Sequence, residues 1–159
     1  MVKDALKRHG LSGNEICIEI TEGVFVDQSE RRIETVLSAI RELGVLLSLD
    51  DFGSGYSSLG YLNRLPFDQL KVDRSFVSDI DTDVRKQKVL RGILELGRGL
   101  GFSIVIEGAE TGEEVAVIRK MGCDAIQGFY YSRPAPALLI PEVVKKIARS
   151  QPASEARTA

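Results

Sequence analysis

The sequence predicts an α/β fold on a parallel sheet: a (β/α) barrel of TIM type, incomplete, with about five strand–helix units present. Three observations predict it. Short apolar runs alternate with helix-period segments along the chain. The second run, Val45–Leu49, is apolar almost throughout, as in a strand covered on both faces. Almost every run also finishes in a polar residue of chemical interest, and a parallel sheet delivers all such ends to one rim.

Each element has a local reason. Glu15–Ile20 alternates Ile16, Ile18 and Ile20 with Glu15, Cys17 and Glu19, the period of a strand. Asp27 or Ser29 offers an N-cap to a helix whose Ile33, Val36, Leu37, Ile40 and Leu43 recur at spacings of three and four, up to Gly44. Ser57 or Ser58 opens a short helical turn with Leu59, Leu62 and Leu65, stopped by Pro66. Gln69–Val72 is the third strand. Asp83 is placed to cap a long helix whose predicted inner face is Val89, Ile93, Leu96 and Leu100. Phe102–Ile106 is the fourth strand. Thr111-Gly112-Glu113-Glu114 fits a capping box, and its helix carries Val115, Ile118 and Met121 to Gly122. Asp124–Gln127 is the fifth strand, and Pro141 suits the first turn of a last helix ending near Arg149. Residues 1–150 read as a partial barrel domain, and 151–159, which lack an apolar face, as a disordered C-terminal tail.

Composition excludes several classes. Lys and Arg number 21 against 23 Asp and Glu, a net charge of −2, with no basic stripe, so no DNA partner is expected. No apolar run approaches the ~18 residues of a membrane helix, so no membrane span is expected. Met1–Gly10 carries Lys3, Asp4, Lys7 and Arg8 without an apolar stretch, unlike a signal peptide. The cytoplasm is the expected compartment. Cys17 and Cys123 show no CxxC spacing. Cys17 reads as a small buried apolar residue, and His9 as an exposed helical residue without a role.

The strand ends carry the chemistry. Glu19 with Glu22, then Asp50-Asp51, then Lys71 with Asp73, then Glu107 with Glu110, and finally Gln127 follow one another along the chain. An open doubly wound sheet needs functional groups at only two or three adjacent strand ends. Five in succession favour a barrel mouth. Singly, each has a plainer reading: Asp50-Asp51 before Gly53 as a turn, or Lys71 and Asp73 as a surface pair. Five such readings in a row are harder to accept than one shared site. Converging carboxylates repel unless cations neutralise them, and hard oxygen donors without His or Cys suit Mg²⁺ or Mn²⁺. Adjacent aspartates can serve two ions about 3.5–4 Å apart, the arrangement that cleaves phosphoesters. Size is the difficulty, since a full barrel takes about 250 residues and the chain has 159. Either more chain exists elsewhere, or a second copy completes the sheet, or the sheet is open.

These residues sit in stretches that closely resemble the EAL domain, the bacterial family of cyclic di-GMP phosphodiesterases. The stretches are Ile18–Glu22 (IEITE), Asp50–Ser58 (DDFGSGYSS), Leu65–Val77 (LPFDQLKVDRSFV), Val105–Thr111 (VIEGAET) and Ala125–Pro134 (AIQGFYYSRP). The resemblance implies a TIM-type barrel, two Mg²⁺ or Mn²⁺ ions, and signal-transducing hydrolysis of cyclic di-GMP to linear pGpG. It implies Glu19, Asp50, Asp51 and Glu107 as metal ligands and Lys71 as the residue that orients the attacking water. Gln127 would stand near that water, and Glu22 would support the loop after the aspartate pair. Asp73 and Glu110 occupy family positions of less defined role. The family's E-x-L glutamate and a metal-binding asparagine have no counterpart in Met1–Gly13. The chain therefore resembles the last three-fifths of such a domain. The expectation for these 159 residues alone is absent or impaired turnover, with non-catalytic dinucleotide binding or protein interaction as the alternative. A homodimer and missing N-terminal or regulatory domains stay open as partners.

Overall fold

A computed structural model describes residues 1–27, 30–55 and 59–150 of the chain. Five strands, β1 (Cys17–Thr21), β2 (Leu46–Phe52), β3 (Gln69–Val72), β4 (Ser103–Glu107) and β5 (Ala125–Gln127), form one sheet in the order 1-2-3-4-5. Every neighbouring pair is parallel. Each strand lies beside its predecessor in sequence, so the strand order never reverses. That excludes the doubly wound alternative, whose binding crevice depends on a reversal. Among the described residues the sheet is not closed, because β1 and β5 each pair on one side only. The fold is thus a (β/α) barrel of TIM type, incomplete.

Helices α1 (Val2–His9), α2 (Val24–Asp27), α3 (Glu30–Arg41), α4 (Leu59–Leu62), α5 (Val84–Gly99), α6 (Gly112–Met121) and α7 (Ile140–Ser150) occupy the described connections and ends. Asp83 caps α5, its Oδ1 accepting from Arg85 N at 2.8 Å and Lys86 N at 3.1 Å. Thr111 and Glu114 close the capping box of α6. Ser29, Ser57, Ser58, residues 151–159 and the side chain of Asp27 lie outside what is described.

Alternation sorts the strand residues onto two faces. Leu47, Leu49, Leu70, Val72, Ile104 and Ile106 point outward and pack on the helices, each at most 1% exposed. The inner face is polar: Ser48 Oγ donates to Gln69 Oε1 at 3.1 Å, and Gln69 Nε2 reaches Ser103 Oγ at 3.5 Å. Cys17 shares that face on an end strand with no outer neighbour, and it is exposed rather than buried. The inner face of α5 also differs from expectation. Leu90, Leu94 and Gly97 are buried, while Val89 and Leu100 are exposed. Gly97 lets the helix approach β4 closely on this face, because a Cβ there would meet Ile104 Cδ1 at 2.8 Å. The helix thus packs through Leu90, Leu94 and Gly97, with Ile93 and Leu96 of the expected face partly buried beside them.

Candidate functional site

Four strands deliver charged side chains to the rim. Lys71, near the end of β3, is only 5% exposed. Its Nζ lies 2.7 Å from Glu19 Oε1 on β1, 2.9 Å from Asp50 Oδ1 on β2 and 2.8 Å from Glu107 Oε1 on β4. Burial disfavours the charged amine, but hydrogen bonds to Glu107, Glu19 and Asp50 outweigh it and hold the ammonium well above the ordinary lysine range. The plainer reading of Lys71 as half of a surface pair with Asp73 gives way to a buried ammonium among three carboxylates.

Asp50 and Asp51 are adjacent on β2, so regular alternation would send their carboxylates to opposite faces. The register of β2 against β3 shifts between Leu49 and Phe52, and Asp51 takes a left-handed φ of 56°. That irregularity redirects the side chain. Asp50, Asp51 and Glu107 each offer a carboxylate oxygen within 4.8 Å of the others. Burial raises the Asp51 pKa, with repulsion from Asp50 next. Burial also raises that of Glu107, and the Lys71 ammonium only partly opposes it. The same ion pair thus favours charge on Lys71 more than on Glu107, because Lys71 collects three anions and Glu107 has other carboxylates beside it.

The donor set fits a hard divalent cation. It consists of carboxylate oxygens alone, and Asp50 Oδ1 is shielded from water with no hydrogen-bond donor besides its ion pair to Lys71. Among the described residues, no His or Cys belongs to the cluster.

The remaining predicted residues surround this centre. Glu22 is 5% exposed, and its Oε1 accepts from Gly53 N at 3.3 Å, in the loop after the aspartate pair. Gln127 pairs in register with Glu107 and is exposed. Asp73 caps the turn Arg74–Phe76 through Ser75 N at 2.9 Å. Asp51, Asp73, Arg74, Glu107, Glu110 and Gln127 line a cavity of about 250 Å³. A larger hollow of about 880 Å³ between β5 and α7 shares Gln127, Gly128 and Phe129 with it.

Sequence reasoning missed three carboxylates that position the strands and loops. Asp68 Oδ2 accepts from Leu47 N at 2.9 Å, and Asp124 Oδ2 from Ile104 N at 2.7 Å. The visible signal was an aspartate immediately before β3 and again before β5. The sequence shows Glu114 only as a capping residue, yet it is 6% exposed and also accepts from Asp79 N at 3.2 Å. Nothing local in the sequence announces that bond across 35 positions.

Comparison with known proteins identifies the family to which this fold belongs. The EAL domain pattern matches residues 1–134, and the chain belongs to the EAL domain family. It is 41% identical over 144 residues to the cyclic di-GMP phosphodiesterase NbdA of Pseudomonas aeruginosa, covering 91% of this chain and 18% of that protein. The EAL domain of Mycobacterium smegmatis DcpA superposes with a TM-score of 0.85 at 35% identity, over 91% of this chain and 65% of that one. Klebsiella pneumoniae BlrP1, in its manganese and cyclic di-GMP complex, superposes at 0.78 with 36% identity, over 84% of this chain and 34% of that one. The chain thus spans less than a quarter of the length of the curated relatives it matches. No helix among the described residues is long and apolar enough to cross a membrane.

Proposed function

We propose that this chain carries the lysine-and-carboxylate part of a phosphodiesterase site that opens cyclic di-GMP to linear pGpG with two divalent cations, Mg²⁺ or Mn²⁺. One observation carries the reading: Lys71 Nζ gathers Glu19, Asp50 and Glu107 from three strands within 2.9 Å, beside Asp51. Glu19, Asp50, Asp51 and Glu107 would hold the cations, which when bound would neutralise the substrate phosphate and make a water easier to deprotonate. Lys71 holds a fixed positive charge where it can orient that water or a phosphate oxygen. Asp51 and Glu107, with raised pKa values, accept a proton more readily than ordinary carboxylates. Glu22 holds the loop after the aspartate pair through Gly53. Gln127, Asp73 and Glu110 line the cavity into which a nucleotide would extend.

Turnover by the isolated 159 residues is a separate matter. The E-x-L glutamate and the asparagine of the family are not among them, and even losses outside the ligands can weaken metal affinity ~10–100-fold. We infer impaired or absent turnover for the isolated chain, with weak dinucleotide binding or protein contact remaining. The cytoplasm, where a soluble second messenger acts, is the compartment this reading carries. The free edges of β1 and β5 support either a second copy or further β/α segments as the partner that closes the barrel.

The test is calorimetry and product chromatography on the purified chain with cyclic di-GMP and Mn²⁺, beside a Glu107→Gln control. Binding without pGpG, weakened in the control, is expected. Turnover lost in the control keeps the site and overturns the impairment. No binding at all, or binding indifferent to Glu107→Gln, sinks the site assignment.

A further inference from the structure

Two loops help line the 250 Å³ cavity beside the carboxylate cluster. The loop after β3 supplies Asp73 and Arg74, and the loop after β4 supplies Gly108 and Glu110. Their spacing decides what the cavity admits. Two devices join them. Gly108 packs directly on Arg74, so that a Cβ at 108 would lie 2.3 Å from Arg74 Cβ. The second is Glu114, at the first turn of α6. Its Oε2 accepts from Glu110 N at 2.8 Å and Thr111 N at 3.1 Å, while its Oε1 accepts from Asp79 N at 3.2 Å. Asp79 lies in the same connection between β3 and α5, and it adopts a left-handed φ of 62°.

We propose that Glu114 is a positioning residue for substrate: its buried carboxylate clamps the loop after β3 to the loop after β4 and so sets the distance between the Arg74 and Glu110 walls of the cavity. It touches none of the four carboxylates of the rim cluster and none of the hydrogen bonds of Lys71. Its influence therefore falls on the dinucleotide and not on the cations. A single buried acceptor serving three backbone donors from two loops does more than an N-cap needs, since the box is already closed by Thr111 N and Thr111 Oγ1. Burial alone would raise the carboxyl pKa, but the N–H groups of Glu110, Thr111 and Asp79 outweigh it and hold it below the usual range. The clamp is thus charged at neutral pH, and charge-assisted bonds of this kind are about twice as strong as neutral ones. The inference rests on the reading of this cavity as the dinucleotide site.

The experiment compares the parent chain with Glu114→Gln, Glu114→Ala and the exposed control Glu113→Gln, each checked for folding by circular dichroism. Three quantities are read: Mn²⁺ affinity, cyclic di-GMP affinity in saturating Mn²⁺, and hydrogen exchange at the amides of Asp79, Glu110 and Thr111. In Glu114→Ala we expect Mn²⁺ affinity within twofold of the parent and dinucleotide affinity lowered about tenfold. Exchange at the three amides should be at least tenfold faster, with Leu70 and Ile104 unchanged. Glu114→Gln keeps one acceptor oxygen and should fall between, and it serves alone if the alanine variant does not fold. Dinucleotide affinity within twofold of the parent, unchanged exchange, or equal loss of Mn²⁺ and dinucleotide overturns the proposal. If the parent itself binds no cyclic di-GMP, the functional reading fails. The clamp is then decided by the exchange data alone, with unchanged protection overturning it.

Discussion

Asp50 and Asp51 are consecutive residues of one strand, yet both offer carboxylate oxygens to one site together with Glu107. The left-handed backbone of Asp51, at φ 56°, makes this possible. A residue with a Cβ bears about 1–2 kcal/mol in that conformation, and repulsion from Asp50 adds to it. Strain and repulsion both gather at a residue proposed to help hold the cations, as expected of a functional position that costs stability.

Asp51→Gly therefore separates stability from function. Glycine adopts positive φ without the Cβ penalty, and removing the carboxylate relieves Asp50. The variant should be more stable than the parent by about 1 kcal/mol in urea titration. Its Mn²⁺ affinity should fall at least tenfold in calorimetry. A destabilised variant with intact Mn²⁺ binding would show that Asp51 is a structural turn residue.

Lys71→Met removes the only cation shown pairing with Glu19, Asp50 and Glu107 among the described residues. Breaking a buried ion pair costs about 3–5 kcal/mol. Because Glu19 is 51% exposed and water screens part of the charge, the lower end applies, about 3 kcal/mol. Mn²⁺ should restore more of the thermal midpoint in the variant than it adds to the parent, since the ion then supplies the missing positive charge. Equal shifts on adding Mn²⁺ would show that cation and ammonium do not share these carboxylates.

The pH dependence of the metal-free chain has a defined sign. Burial raises the Glu107 pKa in the fold. At neutral pH the folded state therefore bears a charge that the unfolded chain accommodates more easily. As pH falls through the raised folded value toward about 4.3, the ordinary glutamate pKa, the fold takes up the proton first and regains stability. Glu114 works oppositely: its lowered pKa gives stability that is lost as pH falls through the folded value. The difference between parent and Glu107→Gln isolates the first effect. The parent's urea midpoint should rise relative to the variant's between pH 7 and about pH 5. A relative fall would mean that Glu107 is stabilised as an anion.

Much of this arrangement is legible in the sequence, for physical reasons. Period-two and period-3.6 patterns locate β1 and α6, because burial acts on each residue where it stands. Asp83 and Thr111 announce their caps because capping is local. The polar strand ends announce a shared rim, because parallel strands must end on one side. What escapes depends on neighbours distant in the chain. The close approach of α5 to β4 depends on Gly97 meeting Ile104, and the exposure of Cys17 on β1 having no outer partner among the described residues. The clamp by Glu114 joins residues 35 positions apart. The bulge at Asp51 is likewise invisible to a pattern that assumes regular alternation.

Gly108 offers the sharpest test of how tightly the cavity walls are joined. Gly108 and Gly10 both hold positive φ, 79° and 65°, so alanine at either pays the left-handed cost of about 1 kcal/mol. At Gly10 an added Cβ meets nothing within 4 Å. At Gly108 it would lie 2.3 Å from Arg74 Cβ and 3.1 Å from Arg74 Cα, atoms that cannot move without moving the turn after β3. Gly108→Ala should therefore cost a further 1–3 kcal/mol, about the penalty of overpacking, beyond Gly10→Ala in urea titration. Because the two loops must part to admit the methyl group, exchange at the Asp79 and Glu110 amides should quicken in Gly108→Ala and stay unchanged in Gly10→Ala. Equal destabilisation of the two variants would mean that the loops yield freely, and that Arg74 and Gly108 do not hold the walls together.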